Sequence, residues 1–97
     1  MVADGTARLC RGFVVTGRVQ GVGFRAATQR QGQALQLTGW VRNRNDGCVE
    51  GAAYGDVGNL DAFIDWLHQG PTSARVESVW SADAEPDMPY GAGFEVR

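Results

Sequence analysis

The chain has 97 residues, of which 43% are hydrophobic and 21% charged, with a net charge of −2. That length suits one domain, 1–97, burying about two-thirds of its surface on folding, and the balanced charge excludes disorder and a generic nucleic-acid footprint. All nine basic residues are arginine, which removes a phosphate-loop lysine and Schiff-base chemistry, while one histidine (His68) and two cysteines (Cys10, Cys48) argue against a Cys/His zinc cluster.

In chain order, residues 1–7 read as a flexible lead-in. Leu9 to Thr16 reads as a strand, with Leu9, Phe13 and Val15 on one side and Val14 and Thr16 on the other. Gly17 to Gly23 holds three glycines in seven residues and suits neither helix nor strand. Phe24 to Leu35 turns helical, with Phe24, Ala27, Gln31, Ala34 and Leu35 near one weakly apolar face. Leu37 to Asn43 is a second strand; Gly39, Val41 and Asn43 share one side, and Trp40, Arg42 and Arg44 point the other way, the two arginines toward solvent.

Asn45-Asp46-Gly47 predicts a hairpin, because Asp-Gly supplies the positive φ angles of a tight turn. The return strand, Cys48 to Tyr54, sets Val49, Gly51 and Ala53 in register for burial. Val57 to Gln69 is a second helix with a Val57, Leu60, Phe63, Ile64, Leu67 stripe, capped by Asp56 and stopped by Gly70-Pro71. A strand from Arg75 to Ala82, a connector holding Pro86 and Pro89, and a short strand in Gly93–Arg97 complete the chain.

The order β-α-β-β-α-β plus a small last strand gives the fold class: an α+β, ferredoxin-like sandwich with two helices on one face of an antiparallel sheet. In that topology the first and third strands are antiparallel neighbours, so Cys10 and Cys48 fall at opposite ends of the pair. Five or six residues at about 3.3 Å each exceed the ~7 Å Cα limit of a bridge, so two free thiols are expected.

Charge is divided unevenly. Residues 1–45 hold seven arginines and one acid, whereas residues 46–97 hold two arginines and ten acids. An anion is therefore best met by the first half, although attraction between the halves explains the division equally well. Within the first half, the glycines at 17, 21 and 23 let the backbone curl into a concave nest of N–H groups at a helix start. Such a nest attracts anions through free donors and the helix dipole. Arg25, in the first helical turn, can clamp two phosphate oxygens with its planar fork. Each feature alone has a plain alternative: the loop can simply turn the chain, Arg25 can be a solvated surface residue, and Asn43 can be a turn former.

The run Gly17-Arg18-Val19-Gln20-Gly21-Val22-Gly23-Phe24-Arg25, followed by Gly39-Trp40-Val41-Arg42-Asn43, resembles the two signature segments of the acylphosphatases. The likeness continues through Asp46-Gly47, Gly70-Pro71-Thr72-Ser73-Ala74-Arg75-Val76 and Phe94-Glu95-Val96-Arg97, and covers nearly everything from Leu9 onward. It implies a small hydrolase that cleaves acyl phosphates to a carboxylate and inorganic phosphate by in-line attack of water, with no metal and no cofactor. It also implies that Arg25 is the catalytic phosphate-binding residue and Asn43 orients water. The loop Arg18, Val19, Gln20, Gly21, Val22, Gly23 and Phe24 would supply backbone donors to the phosphoryl group.

The expected partners are a small acyl phosphate and the phosphate product, with no nucleic acid and no membrane. No run approaches the roughly 20 apolar residues of a membrane span, and a cytoplasmic monomer is expected. His68, the three tryptophans and the Asp61/Asp65 pair are assigned to surface and packing roles. Two other readings remain. A non-catalytic ferredoxin-like module binding RNA or protein shares the element order, but for an RNA-recognition motif the strand Cys48 to Tyr54 is acidic and almost free of aromatics. The acylphosphatase-like domain of hydrogenase-maturation carbamoyltransferases has a similar loop but typically has proline after the motif arginine, where this chain has Ala26.

Overall fold

In the computed structural model, which describes residues 7–85 and 93–97, seven elements follow one another: β1 (Arg8–Arg18), α1 (Phe24–Ala34), β2 (Thr38–Asn43), β3 (Val49–Asp56), α2 (Val57–Gln69), β4 (Arg75–Ala84) and β5 (Phe94–Val96). The expected lead-in flexibility concerns residues that, apart from Ala7, lie outside the described ones, as do Pro86 and Pro89. The sheet runs in the order β4-β1-β3-β2-β5. β1 is antiparallel to both β3 and β4, and β2 is antiparallel to β3. β5 adds in parallel beside β2, with Val41 opposite Val96. The ferredoxin-like sandwich therefore stands on a mixed sheet rather than a wholly antiparallel one. Side-chain alternation reports which face of a strand is buried, not its direction, so the parallel pairing of β5 is set by packing.

The core follows the strand alternation. Phe13 and Val15 of β1, Val41 of β2, Val49 and Ala53 of β3, and Leu60, Phe63 and Leu67 of α2 are buried together with Phe24 and Phe94. Burying one such side chain stabilises the fold by about 1.5–3 kcal/mol. Asp56 closes β3 and caps α2, accepting 2.9 Å from the Gly58 N–H. The α1 face differs from the sequence reading: Thr28 and Gly32 are buried, whereas Ala34 is exposed. The reason is Phe94, whose ring lies where a side chain on Gly32 would project. Thr28 satisfies its buried hydroxyl by donating 2.8 Å to the Phe24 carbonyl.

The hairpin between β2 and β3 exists, but with one residue more than a two-residue turn. Arg44 N–H donates to the Cys48 carbonyl and Gly47 N–H to the Arg44 carbonyl, and among the three loop residues only Gly47 has positive φ (94°). This arrangement is a type I turn with a glycine bulge. Arg42 and Arg44, expected to be simply solvated, form ion pairs of 2.7 Å with Glu50 and 2.8 Å with Asp46. Asp61 likewise pairs with Arg11 at 2.6 Å. Both cysteines are free thiols: Cys10 faces Tyr54, at the far end of β1 from the Val15–Val49 pair that adjoins Cys48. Trp66 packs against Phe24, Trp40 lies under the guanidinium groups of Arg42 and Arg97, and Trp80 is exposed on β4.

Candidate active site

The segment after β1 owes its shape to glycine and to two side-chain ties. Gly21 and Gly23 take φ of 75° and 77° with nothing near their missing Cβ atoms, so conformation rather than space requires glycine there. Val19 drops into the core and anchors the loop floor. Gln20 Nε2 donates to the carbonyls of Arg44 (2.7 Å) and Cys48 (2.9 Å). Ser73 Oγ donates 2.7 Å to the Val22 carbonyl. These ties engage side chains and a carbonyl. Among the described residues, no acceptor takes the N–H groups of Gly21, Val22, Gly23, Phe24 or Arg25.

Gly23 is the N-cap of α1 and makes no side-chain cap bond, and no acid occupies the first helical turn. The helix's own first turn therefore supplies no counter-charge to the positive end of its dipole. Beside it, Arg25 is half-buried, and its Nη1 donates 3.0 Å to the Arg97 carbonyl. Gln29 Nε2 donates 2.8 Å to the Phe94 carbonyl. Two bonds thus fasten α1 to β5 and to Arg97 just after it, and they tie down the Arg25 side chain.

A pocket of about 180 Å³ opens at this helix start, lined by Val19, Gly21, Gly23, Phe24, Arg25, Ala26, Asn43 and Val96. It brings together Arg25 and Asn43, which the alternation of β2 sets on the helix side of the sheet. Of the loop residues read from sequence, Val19, Gly21, Gly23 and Phe24 line it. Arg18, Gln20 and Val22 do not: Arg18 stands exposed at the end of β1, Gln20 turns to the hairpin, and Val22 packs against the core. Ala26 and Val96 line the pocket without having been singled out. Ala26 could be found by its place beside Arg25, but Val96 arrives through the parallel β2–β5 pairing, for which the sequence carries no signal.

A larger and more open groove of about 480 Å³ runs along the hairpin, lined by Arg42, Asn43, Arg44, Asn45, Asp46 and Glu50. Its guanidinium groups are already matched by Glu50 and Asp46, so it offers an anion far less than the loop does. At its tip the Cys48 N–H, donating 3.1 Å to Asp46 Oδ1, holds that carboxyl below the usual carboxylate range, with Arg44 adding attraction. Burial and the neighbouring Asp46 push the Cys48 thiol up. His68, exposed in the last turn of α2, does not line the pocket. No cluster of three His, Cys, Asp or Glu side chains suited to a metal occurs among the described residues.

Residues 11–96 match the family model described as Acylphosphatase. The acylphosphatase of Azoarcus sp. strain BH72 is 48% identical over 89 residues, spanning 92% of this chain and 86% of that protein. A solved structure of an acylphosphatase from Coxiella burnetii superposes with a TM-score of 0.87 at 36% identity, covering 93% of each chain. The Bacillus subtilis acylphosphatase gives 0.86 at 32% identity, over 92% of this chain and 98% of that one. The match thus takes in the glycine loop, the arginine behind it and the strand that carries Asn43, and the chain belongs to the acylphosphatase family.

Proposed function

We propose that this acylphosphatase hydrolyses the carboxyl–phosphate bond in the pocket at the start of α1. Arg25 and the loop amides hold the phosphoryl group, and Asn43 orients the attacking water. The observation that carries the reading is the convergence of Arg25 and Asn43, from different elements, on one pocket beside loop amides that find no acceptor among the described residues.

The chemistry suits these groups. The leaving group is a carboxylate whose acid has a pKa of about 4, so it departs without a general acid. Phosphoryl transfer asks chiefly for positioning and charge stabilisation. A planar guanidinium and a nest of amides supply the charge term, and they are in place before substrate arrives. Asn43 can donate to and accept from water but has no basic nitrogen. The water proton therefore passes to a phosphoryl oxygen of the substrate, and the attack runs in line with the departing carboxylate, with no metal required. The same proposal makes the protein a monomer working in the cytoplasm. No helix among the described residues is long and apolar enough to cross a membrane.

Benzoyl phosphate hydrolysis tests the assignment. Arg25→Ala is expected to lose at least about 10²–10³ in rate, the usual cost of one preorganised donor. Asn43→Ala should lower kcat while inorganic phosphate still competes with near-normal affinity. Wild-type turnover in either variant would remove that residue from the site. Activity that vanishes with chelator would overturn the metal-free route.

A further inference from the structure

We infer that Gln20 is a positioning residue that sets the place of Asn43 relative to the phosphoryl group, an inference that rests on the site reading above. Gln20 lies between Val19 and Gly21, both of which line the pocket. Its side chain leaves the loop and spends both N–H groups on the base of the hairpin, at 2.7 Å to the Arg44 carbonyl and 2.9 Å to the Cys48 carbonyl. Arg44 directly follows Asn43, and its own N–H closes the hairpin by donating 2.8 Å to that same Cys48 carbonyl. One partly buried carboxamide therefore spans the anion loop and the strand end bearing the water-orienting group.

Both ends of this brace matter chemically. The loop amides fix the phosphorus, and the end of β2 fixes the water. An in-line attack depends on the separation between them, and a misplacement of about 1 Å can cost on the order of 10²-fold in rate. The amide also has the right donor count: two N–H groups meet two carbonyls, which neither a carboxylate nor an apolar side chain can do. Ser73 holds the opposite side of the loop through the Val22 carbonyl but makes no bond to the hairpin. Gln20 therefore performs a task that Ser73 does not.

The test is kinetic, with benzoyl phosphate as substrate and inorganic phosphate as competitive inhibitor. Gln20→Leu is expected to lower kcat by about 10- to 100-fold while the phosphate inhibition constant stays within about threefold of wild type. In an Asn43→Ala background the same change should cost almost nothing further, because Gln20 acts through Asn43. Gln20→Glu supplies a readout that a merely structural role would not move. Protonated glutamic acid can donate one of the two bonds and the carboxylate neither, so its kcat should climb as pH falls from 7 to 5, relative to wild type.

An unchanged kcat in Gln20→Leu overturns the inference. So does a loss of phosphate affinity in step with activity, or a multiplicative effect on top of Asn43→Ala. If Gln20→Leu does not fold, the Gln20→Glu profile decides, and a wild-type shape overturns the inference. Asn43→Ala with full turnover would instead strike the underlying site reading. Lost turnover in Asn43→Ala beside normal turnover in Gln20→Leu would strike this inference alone.

Discussion

Gly32 and Gly23 show how one missing side chain can serve opposite needs. In a helix interior, alanine normally gains about 1 kcal/mol over glycine. At Gly32 a Cβ would meet the Phe94 ring at 2.5 Å, and that ring is buried and held between α1 and α2. Gly32→Ala should therefore destabilise, by about 1–3 kcal/mol as overpacking does, read as a lower urea midpoint. Gly23 has open space around it but a φ of 77°, and a Cβ in that conformation costs about 1–2 kcal/mol. Gly23→Ala should thus lose a little stability and, by pushing the loop out of its curl, far more activity. Unchanged phosphate inhibition in a folded Gly23→Ala protein would contradict that. The Gln20 side chain, which the sequence reading included only as part of a loop of backbone donors, gains meaning when the hairpin carbonyls come within its reach.

The hairpin between β2 and β3 accepts both N–H groups of Gln20 from the glycine loop, and its pH response follows from Asp46. Because the Cys48 N–H and Arg44 hold this carboxyl below its ordinary range, the folded state favours the ionised form more than the unfolded state does. The contribution is therefore complete above the unfolded value of about 3.9 and lost as pH falls through the lower folded value. Asp46→Ala should narrow its stability gap to wild type only below about pH 4, measured by urea unfolding at successive pH values. A gap already closing at pH 6 would mean that another group is responsible. Cys48, pushed upward by burial and then by Asp46, should react slowly with iodoacetamide at pH 8, and faster in Asp46→Asn. On the helix-covered face of the sheet, Arg11 of β1 reaches both Asp61 of α2 and Asp83 of β4. Both acids are largely exposed, so a double-mutant cycle on Arg11 and Asp61 should yield only about 0.2–1 kcal/mol.

Across the whole molecule, the last strand couples the fold to the site. Phe94 packs against Phe63 and Gly32 and belongs to the main core, while the carbonyls of Phe94 and Arg97 hold Gln29 and Arg25. Phe94→Ala should cost about 3–5 kcal/mol and displace the Arg25 fork as well. A folded Phe94→Ala protein with normal turnover would show that β5 does not position Arg25. Elements and motifs were legible beforehand because they are local: alternation in β1 and β3, a capped apolar stripe in α2, glycines where the chain must curl, an arginine in a first helical turn, and the parity that set Asn43 toward the helices. The burial of Gly32, the parallel docking of β5, Val96 in the pocket wall and the Gln20 brace were not legible. Each is a contact between distant segments, and its energy comes from packing or hydrogen bonding that exists only once both are assembled. Element identity, element order and the glycine-rich curl before α1 are written in local residue pattern. Which distant groups meet is settled by packing, because strand direction, a close ring contact and a bridging amide leave no period in the chain.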